Sequence, residues 1–293
     1  MQFLSRRPIL LCILLSLAAE TVPGQMRLKV PRSDGHSTPL MLYKAANVQA
    51  GCAPLAIISH GAGASERSYS YLARAMAQLG YTTIVMGHVE SEMKVLRHDI
   101  IHNGLIPGMR MLVANPTAEN DRLLDLDAAL DWADGQCHAP FRVLLGHSMG
   151  AETAMFEAGA TNTIGIASPP AGQDRFDAYV AMSPEGPGVV FASDSWKSIQ
   201  KPVLILTGTH DTSLQGGPPM RLIPWTILPG LPTHCQWEGV IDRAAHLNFD
   251  AIGLGAPRVT PLVTRTVTAF LAGVRKSSCN LPPPIPGITL KAK

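Results

Sequence analysis

A serine between two glycines carries the clearest chemistry in this sequence. It is Ser148, in the motif GHSMG at positions 146–150, directly after the apolar run 141–145 and before a helical pattern that ends at Gly159. On a tight turn from strand to helix such a serine is held in a strained backbone conformation, and the flanking glycines leave room for neighbouring backbone. The motif therefore predicts that Ser148 is a nucleophile able to form a covalent acyl intermediate.

A nucleophilic serine needs a histidine base and an acid that orients that base. The candidate acid is Asp211, where the apolar strand starting at 202 enters a glycine-containing loop, and the candidate base is His246, between the later strands and the final helix. His246 would take the proton of Ser148 and return it to the leaving group, while Asp211 would fix the imidazole tautomer. Residues that could replace them are Asp242 or Asp250 as the acid and His234 as the base.

Two backbone N–H groups should bind the negative oxygen of the reaction intermediate. Met149 is expected to supply one, because it follows the nucleophile. The other is expected from the glycine-containing loop 60–63, which follows the apolar strand 55–59. Within that loop Ala62 is the first choice and Gly61 the second.

The elements that must position these groups alternate along the chain. The pattern predicts early strands at 26–30 and 40–44, a helix at 69–79, a strand at 81–86, a helix at 119–133 capped by Thr117 or Asn120, and a final helix at 260–274. Such alternation is typical of a parallel sheet covered by helices on both faces. Loops at the carboxyl ends of the strands then build the site, and the candidate residues follow strands.

Taken together, several motifs resemble the α/β-hydrolase superfamily over roughly residues 26–275. They are SHGAG at 59–63, the helix at 69–79, GYTTIV at 80–85, GHSMG at 146–150 and AMSPEGPG at 181–188. The most similar branch is the dienelactone-hydrolase-like group that includes platelet-activating-factor acetylhydrolases, with cutinase-like polyesterases as relatives. The resemblance implies an α/β fold with a mostly parallel central sheet, and segment 159–177 is too short for a large cap domain.

One position departs from the pattern of the true dienelactone hydrolases, which have cysteine where this chain has Ser148. Their substrate is therefore not carried over, whereas the triad roles are, onto Ser148, Asp211 and His246. The resemblance implies an enzyme that hydrolyses carboxylic esters, with acetyl or short-chain acyl esters as the first expectation. The alternatives are a polyester or lipid esterase, and a non-catalytic relative that binds an apolar ligand.

Composition fits one mid-sized domain. The chain has 293 residues, 46% of them hydrophobic, with a net charge of +2 and no basic run. This argues against nucleic acid or an anionic membrane as a partner, so an ester substrate and a monomer are expected. Scattered histidines and the lack of a metal-binding or phosphate-binding motif predict neither metal nor cofactor. His60, His88 and His147 are expected to be structural.

The sequence of residues 1–24 predicts an export signal at the amino terminus. Two arginines precede the apolar stretch 9–17, small residues follow it, and cleavage is expected after Ala19 or Gly24. The stretch is shorter than the roughly 20 residues that span a bilayer. A lipid anchor at Cys12 is not expected, because the preceding residues are not small. The predicted location is periplasmic or extracellular.

Export leaves an even number of cysteines, at 52, 137, 235 and 279, in an oxidising compartment. Four cysteines allow three pairings. In the resembled fold the strands at 55–59 and 141–146 are parallel neighbours, so the resemblance implies that Cys52 pairs with Cys137, and Cys235 then pairs with Cys279.

The remaining predictions concern the ends of the domain and its cavity. The catalytic domain is expected at 25–278, followed by a proline-rich, extended surface tail at 279–293. The apolar segment 105–112 is interpreted either as a lid or rim of the acyl pocket or as ordinary core.

Overall fold

The computed structural model describes residues 25–46, 51–166 and 175–293. The predicted export signal, with Cys12, lies outside these residues. Within them, no helix is both long and apolar enough to cross a membrane.

In the described parts of the chain, nine strands form a single sheet in the order β1-β2-β4-β3-β5-β6-β7-β8-β9. They are β1 (Gln25–Pro31), β2 (Ser37–Tyr43), β3 (Leu55–Ser59), β4 (Thr82–Met86), β5 (Arg142–His147), β6 (Ala178–Met182), β7 (Val203–Gly208), β8 (Gln236–Ile241) and β9 (Ile288–Ala292). The six strands from β4 to β8 in this order are parallel, and β1, β2 and β9 pair antiparallel. This confirms the predicted α/β class with a mostly parallel sheet.

Helices cover both faces of the sheet. They are α1 (Ser70–Gln78), α2 (Met93–Asn103), α3 (Leu105–Val113), α4 (Pro116–Gln136), α5 (Met149–Glu157), α6 (Ile223–Ile227) and α7 (Ala256–Arg275). Leu126 of α4 and Phe156 of α5 pack in the core on one face. Leu72 of α1 and Phe270 of α7 pack in the core on the other. The carboxyl ends of the parallel strands therefore stay open to loops.

Helix α4 begins three residues before the predicted start. Asn115 caps it, its side chain accepting from the Thr117 amide at 2.9 Å, and proline occupies the first turn, where a missing N–H costs nothing. The predicted caps, Thr117 and Asn120, lie inside the helix. The helix also buries three charged side chains against the sheet, Glu119, Arg122 and Asp125.

The segment between β4 and α4 folds into the pair α2 and α3. No side chain of α2 is buried, and α3 buries little besides Leu112 and Val113. The segment 105–112 is therefore a helix at the surface rather than ordinary core.

Both expected disulfides are present, Cys52–Cys137 with a Cα–Cα distance of 5.7 Å and Cys235–Cys279 with 4.9 Å. The tail after Cys279 does more than lie extended on the surface, because its last residues form β9 and pair with β8. The proline-rich run that precedes this edge strand has no sequence pattern that predicts a strand.

Candidate active site

Ser148 occupies a strained turn between β5 and α5. Its backbone has φ 54° and ψ −125°, a conformation that residues other than glycine rarely adopt. A Cβ on Gly146 would lie 1.8 Å from the Gly150 carbonyl oxygen, and one on Gly150 would lie 2.1 Å from the Ser59 carbonyl oxygen. Only glycine fits at both positions, so the sequence permits the turn that lifts Ser148 out of the sheet.

Asp211 and His246 lie together at the carboxyl ends of neighbouring strands. Asp211 follows β7, and His246 opens the short 3₁₀ turn His246–Asp250 after β8. The His246 Nδ1 atom is 3.1 Å from Asp211 Oδ1, and the histidine side chain is 30% exposed while the aspartate is buried. Burial raises the pKa of Asp211, but the hydrogen bond to His246 and the charge of Arg221 outweigh it and hold the pKa at about 2. The carboxylate is therefore ionised at neutral pH.

A cavity of about 320 Å³ brings the predicted residues together, since Ser148 and His246 both line it. Direct contact joins His246 to Asp211, and Ser148 shares the cavity with His246. In unliganded sites the bond between nucleophile and base commonly tightens only when substrate binds. The rest of the wall is largely apolar and includes Met93, Leu96, Ile106, Met109, Val113 and Leu214.

Neither alternative acid nor the alternative base contacts the other candidate residues as Asp211 does, although Asp250 lines the same cavity. Asp242 is exposed and pairs with Arg243 at 3.2 Å. Asp250 accepts a hydrogen bond from the Tyr69 amide at 3.3 Å, and burial raises its pKa to about 6. His234 is exposed, before β8. Asp211, the first choice of acid, is the candidate that lies beside His246.

Sequence reasoning did not assign Ser183 and Arg221 to the site, but each contacts both members of this pair, and Thr207 Oγ1 donates to Asp211 Oδ2 at 2.8 Å. Ser183, which follows β6 with φ 56°, donates to Asp211 Oδ2, and its Oγ is 3.0 Å from His246 Nδ1. Arg221 Nε lies 3.3 Å from Asp211 Oδ1, and Arg221 Nη1 donates to Glu185 at 2.8 Å. Ser183 and Glu185 belong to the motif at 181–188, which indicated only a family likeness, and no local pattern marks Arg221.

His147 holds the backbone of His246. The Tyr69 hydroxyl is 2.7 Å from His147 Nδ1, and His147 Nε2 is 3.1 Å from the His246 carbonyl oxygen. Since that carbonyl can only accept, Nε2 carries the proton and Nδ1 accepts from Tyr69. Burial lowers the pKa of His147 well below its usual range, so the ring is neutral.

Among the described residues, no backbone carbonyl accepts from the N–H groups of the two predicted oxyanion donors. Ala62 lines the cavity. The Gly61 carbonyl accepts from His60 Nδ1 at 2.7 Å and from the Ala64 amide at 3.2 Å, so the planar peptide turns the Ala62 N–H to the opposite side. The Met149 N–H belongs to the first turn of α5, where amides have no partner within the helix.

The described residues contain no group of three or more histidine, cysteine, aspartate or glutamate side chains that could hold a metal ion. A serine at a strained turn that shares a cavity with a histidine–aspartate pair is suited to nucleophilic attack.

No family model and no curated protein matches the sequence. Solved structures do match. A protein provisionally described as a dienelactone hydrolase, from Klebsiella pneumoniae, has a TM-score of 0.58 and 18% identity, with 85% of this chain and 99% of that chain covered. An α/β serine hydrolase without a lid, from Xanthomonas campestris, has a TM-score of 0.53 and 16% identity over 89% and 98% of the two chains. The esterase domain of a Rhodothermus marinus protein has a TM-score of 0.52 and 14% identity over 83% and 98%.

The chain therefore has the α/β-hydrolase fold, and the fold implied by its motifs is confirmed.

Proposed function

We propose that this protein is a serine hydrolase that cleaves carboxylic esters through the triad Ser148, His246 and Asp211. The single observation that carries the proposal is the strained backbone of Ser148, placed on the same cavity as a histidine bound to a buried, ionised aspartate. An esterase domain among the similar structures supports the choice of ester over other acyl compounds.

The first half of the reaction forms an acyl-enzyme. Ser148 Oγ attacks the ester carbonyl carbon, and its proton passes to His246 Nε2 as the new C–O bond forms. Asp211 accepts the hydrogen bond of the Nδ1–H and stabilises the imidazolium. The carbonyl oxygen takes the negative charge and is bound by the N–H groups of Ala62 and Met149. The intermediate then collapses, and His246 gives its proton to the departing alcohol.

The second half uses the same groups in reverse. His246 accepts a proton from water, whose oxygen attacks the acyl carbon of the ester on Ser148. Collapse of that intermediate releases the carboxylic acid and returns the proton to Ser148 Oγ. No metal or cofactor is required by these steps.

The substrate proposed first is an acetyl or short-chain acyl ester. The volume of about 320 Å³ and the apolar wall from α2, α3 and residue 214 support a small acyl group. A lipid or polyester substrate is the second candidate, because the segments 93–113 and 247–254 that reach the cavity also expose large apolar side chains. They include Ile101, Leu105, Met111, Leu247, Ile252 and Leu254.

Labelling with a fluorophosphonate probe tests the proposal, because such probes react with activated serines. Wild type should be labelled, and labelling should be lost in Ser148→Ala and His246→Ala. The matched controls are the exposed residues Ser198 and His102, whose alanine variants should label like wild type. Absence of labelling in folded wild type would contradict the proposal and favour a non-catalytic ligand-binding protein.

Turnover of p-nitrophenyl esters from acetate to decanoate decides between the two substrate classes. A kcat/KM maximum at two to four acyl carbons supports short-chain esters, about the size of acyl group that this cavity could enclose. A maximum at eight or more carbons supports the lipid or polyester alternative.

The proposal includes export to an oxidising compartment. Two disulfides within the described residues are compatible with that location. Mass spectrometry of protein secreted or released from the periplasm should show a mature start near residue 20 or 25 and four cysteines that alkylate only after reduction. A retained amino terminus with freely alkylated cysteines would contradict export.

A further inference from the structure

A single guanidinium lies buried between the two backbone segments that would bind the oxyanion. Arg122, in the middle of α4, is fully buried. Its Nη1 donates to Ser91 Oγ at 2.6 Å, its Nη2 to Ser59 Oγ at 3.0 Å and to the His60 carbonyl oxygen, and its Nε to Thr153 Oγ1 at 3.0 Å. The planar, five-donor shape of arginine suits such a fixed set of acceptors, and lysine could not bridge it.

On one side, Arg122 holds the loop that carries Ala62. It donates to the carbonyl oxygen of His60, which fixes the peptide between His60 and Gly61. The next peptide is fixed by the bond from His60 Nδ1 to the Gly61 carbonyl at 2.7 Å. Since the N–H of that peptide is the one on Ala62, two successive planes lead from the guanidinium to the proposed donor.

The tautomer of His60 is set by its other nitrogen. The backbone N–H of His88 donates to His60 Nε2 at 3.1 Å, so the proton of the neutral ring lies on Nδ1 and is donated to Gly61. Burial lowers the pKa of His60 well below its usual range, so this neutral form persists at ordinary pH.

On the other side, Arg122 holds the first turn of α5. Thr153 Oγ1 accepts from Arg122 Nε at 3.0 Å and donates to the Met149 carbonyl oxygen at 3.2 Å. The hydroxyl has one proton, so acceptance from Arg122 directs that proton to Met149. The residue that supplies the second proposed oxyanion donor is thus linked to the same guanidinium through Thr153, by its carbonyl oxygen.

Ser59 is itself held in one orientation. His88 Nδ1 lies 2.8 Å from Asp125 Oδ2, and Ser59 Oγ lies 3.0 Å from His88 Nε2. The Nδ1–H donates to the carboxylate, so Nε2 accepts from the serine hydroxyl, whose lone pair then faces Arg122. Three partners of the guanidinium, Ser59, His60 and Thr153, are therefore themselves oriented by further contacts.

We infer that Arg122 is a positioning residue that fixes the spacing between the two oxyanion donors, the N–H groups of Ala62 and Met149. The inference rests on the proposed esterase function. Arg122 touches neither substrate nor the reacting atoms. It acts through the His60 carbonyl on one side and through Thr153 on the other.

Such a role has a distinct kinetic signature. The oxyanion exists only in the transition state and the tetrahedral intermediate, so misplaced donors lower kcat and leave KM nearly unchanged. The affinity for a boronic acid inhibitor, which forms a tetrahedral adduct with the serine, should fall by the same factor as kcat/KM.

Two variants separate this role from a purely structural one. Arg122→Lys keeps the charge but removes the bridge, and kcat should fall about 100-fold, the effect of losing one oxyanion donor. Thr153→Val removes only the link to Met149, and kcat should fall roughly fivefold, a smaller effect because the Ala62 side stays fixed. The matched control is Arg175→Lys, which should keep wild-type kcat, because the Arg175 guanidinium binds the carboxylates of Glu157 and Asp127 and neither proposed donor segment.

The measurements are kcat and KM on a p-nitrophenyl ester, boronic acid affinity, and thermal unfolding of each variant. A kcat within threefold of wild type in folded Arg122→Lys contradicts the inference. If Arg122→Lys fails to fold, a Thr153→Val variant with the kcat of wild type also contradicts the inference. An inactive, unlabelled wild type instead contradicts the esterase proposal, and the inference fails with it.

Discussion

Two sets of a serine, a histidine and an aspartate can be compared among the residues that the structure describes. The cavity set is Ser148, His246 and Asp211, and the interior set is Ser59, His88 and Asp125. By hydrogen bonding alone the interior set is the better formed, with a histidine–aspartate distance of 2.8 Å against 3.1 Å and a serine–histidine distance of 3.0 Å.

What separates the two sets is access and strain. The interior residues are at most 1% exposed, and Ser59 ends a regular strand with its oxygen bound to Arg122. Ser148 has a left-handed backbone and lies on a cavity wall, next to the amides proposed as oxyanion donors. The comparison teaches that serine, histidine and aspartate in hydrogen-bond order make a structural brace unless a substrate can reach the serine.

The largest expected difference is at the two serines. Ser148→Ala should lower kcat by about 10⁴-fold or more, because it removes the nucleophile. Ser59→Ala should lower kcat less than about tenfold while costing roughly 1–2 kcal/mol of stability, because one hydroxyl of a buried network is lost. Ester turnover and urea unfolding of both variants measure the contrast. Comparable losses of kcat in the two variants would contradict the distinction between the two serines.

The aspartates come next. Asp211→Asn should lower kcat by about 10⁴-fold with the fold retained, since an amide cannot hold the imidazole in the required tautomer. Asp125→Asn should instead destabilise the protein by about 1–3 kcal/mol, because its amide would face the donors of Thr38 and His88. Circular dichroism and kcat together test this, and a folded, fully active Asp211→Asn would remove Asp211 from the triad.

A smaller contrast lies in the hydroxyls bound to each aspartate. Ser183→Ala removes the hydroxyl that contacts both Asp211 and His246, and kcat/KM should fall about tenfold, within the usual range for a lost acid–base partner. Thr38→Val removes the hydroxyl that donates to Asp125 at 2.5 Å, and should lower stability by roughly 1–2 kcal/mol with kcat within twofold of wild type. A tenfold loss of kcat in Thr38→Val would show that the interior set takes part in turnover.

The smallest expected effect is on the pH dependence of stability, where the two aspartates have opposite signs. The pKa of Asp125 is raised to about 6, chiefly by burial, so the native state holds a proton that the unfolded state releases, and stability falls as pH rises from about 4 to 6. The pKa of Asp211 is lowered to about 2, so its stabilisation is present above about pH 4 and is lost as pH falls toward 2. Urea unfolding across this range should show the first slope vanish in Asp125→Asn and the second in Asp211→Asn. An unchanged slope in either variant would contradict the assignment.

Much of the fold could be read from the sequence because its signals are local. Apolar runs ending in loops marked the strands, and the glycine spacing around Ser148 marked the turn. Asp211 and His246 could be placed because the carboxyl ends of parallel strands converge at one edge. The disulfides followed from the family likeness, which made the strands β3 and β5 neighbours.

The rest depends on contacts between distant residues. The interior set joins positions 59, 88 and 125, and no spacing in the sequence relates them. In α4, Arg122 lies among Glu119, Asp121 and Asp125 in the sequence. This pattern is typical of a solvated helix face, although the Arg122 side chain is buried. Strand β9 was missed because its alternation of apolar and polar residues is only five residues long and follows a proline-rich run, and its pairing with β8 joins residues distant in the sequence.

The collisions that restrict Gly146 and Gly150 also restrict how the chain can evolve. In both cases the nearest obstacle to a side chain is a backbone carbonyl oxygen, at residue 150 and at residue 59. Every amino acid carries that oxygen, so no second mutation elsewhere can relieve the clash by shrinking a neighbour. The cavity wall is made of side chains such as Met93 and Ile106, which can be exchanged singly. Descendants of this protein could therefore change substrate through the wall residues while the turn that carries Ser148 stays fixed.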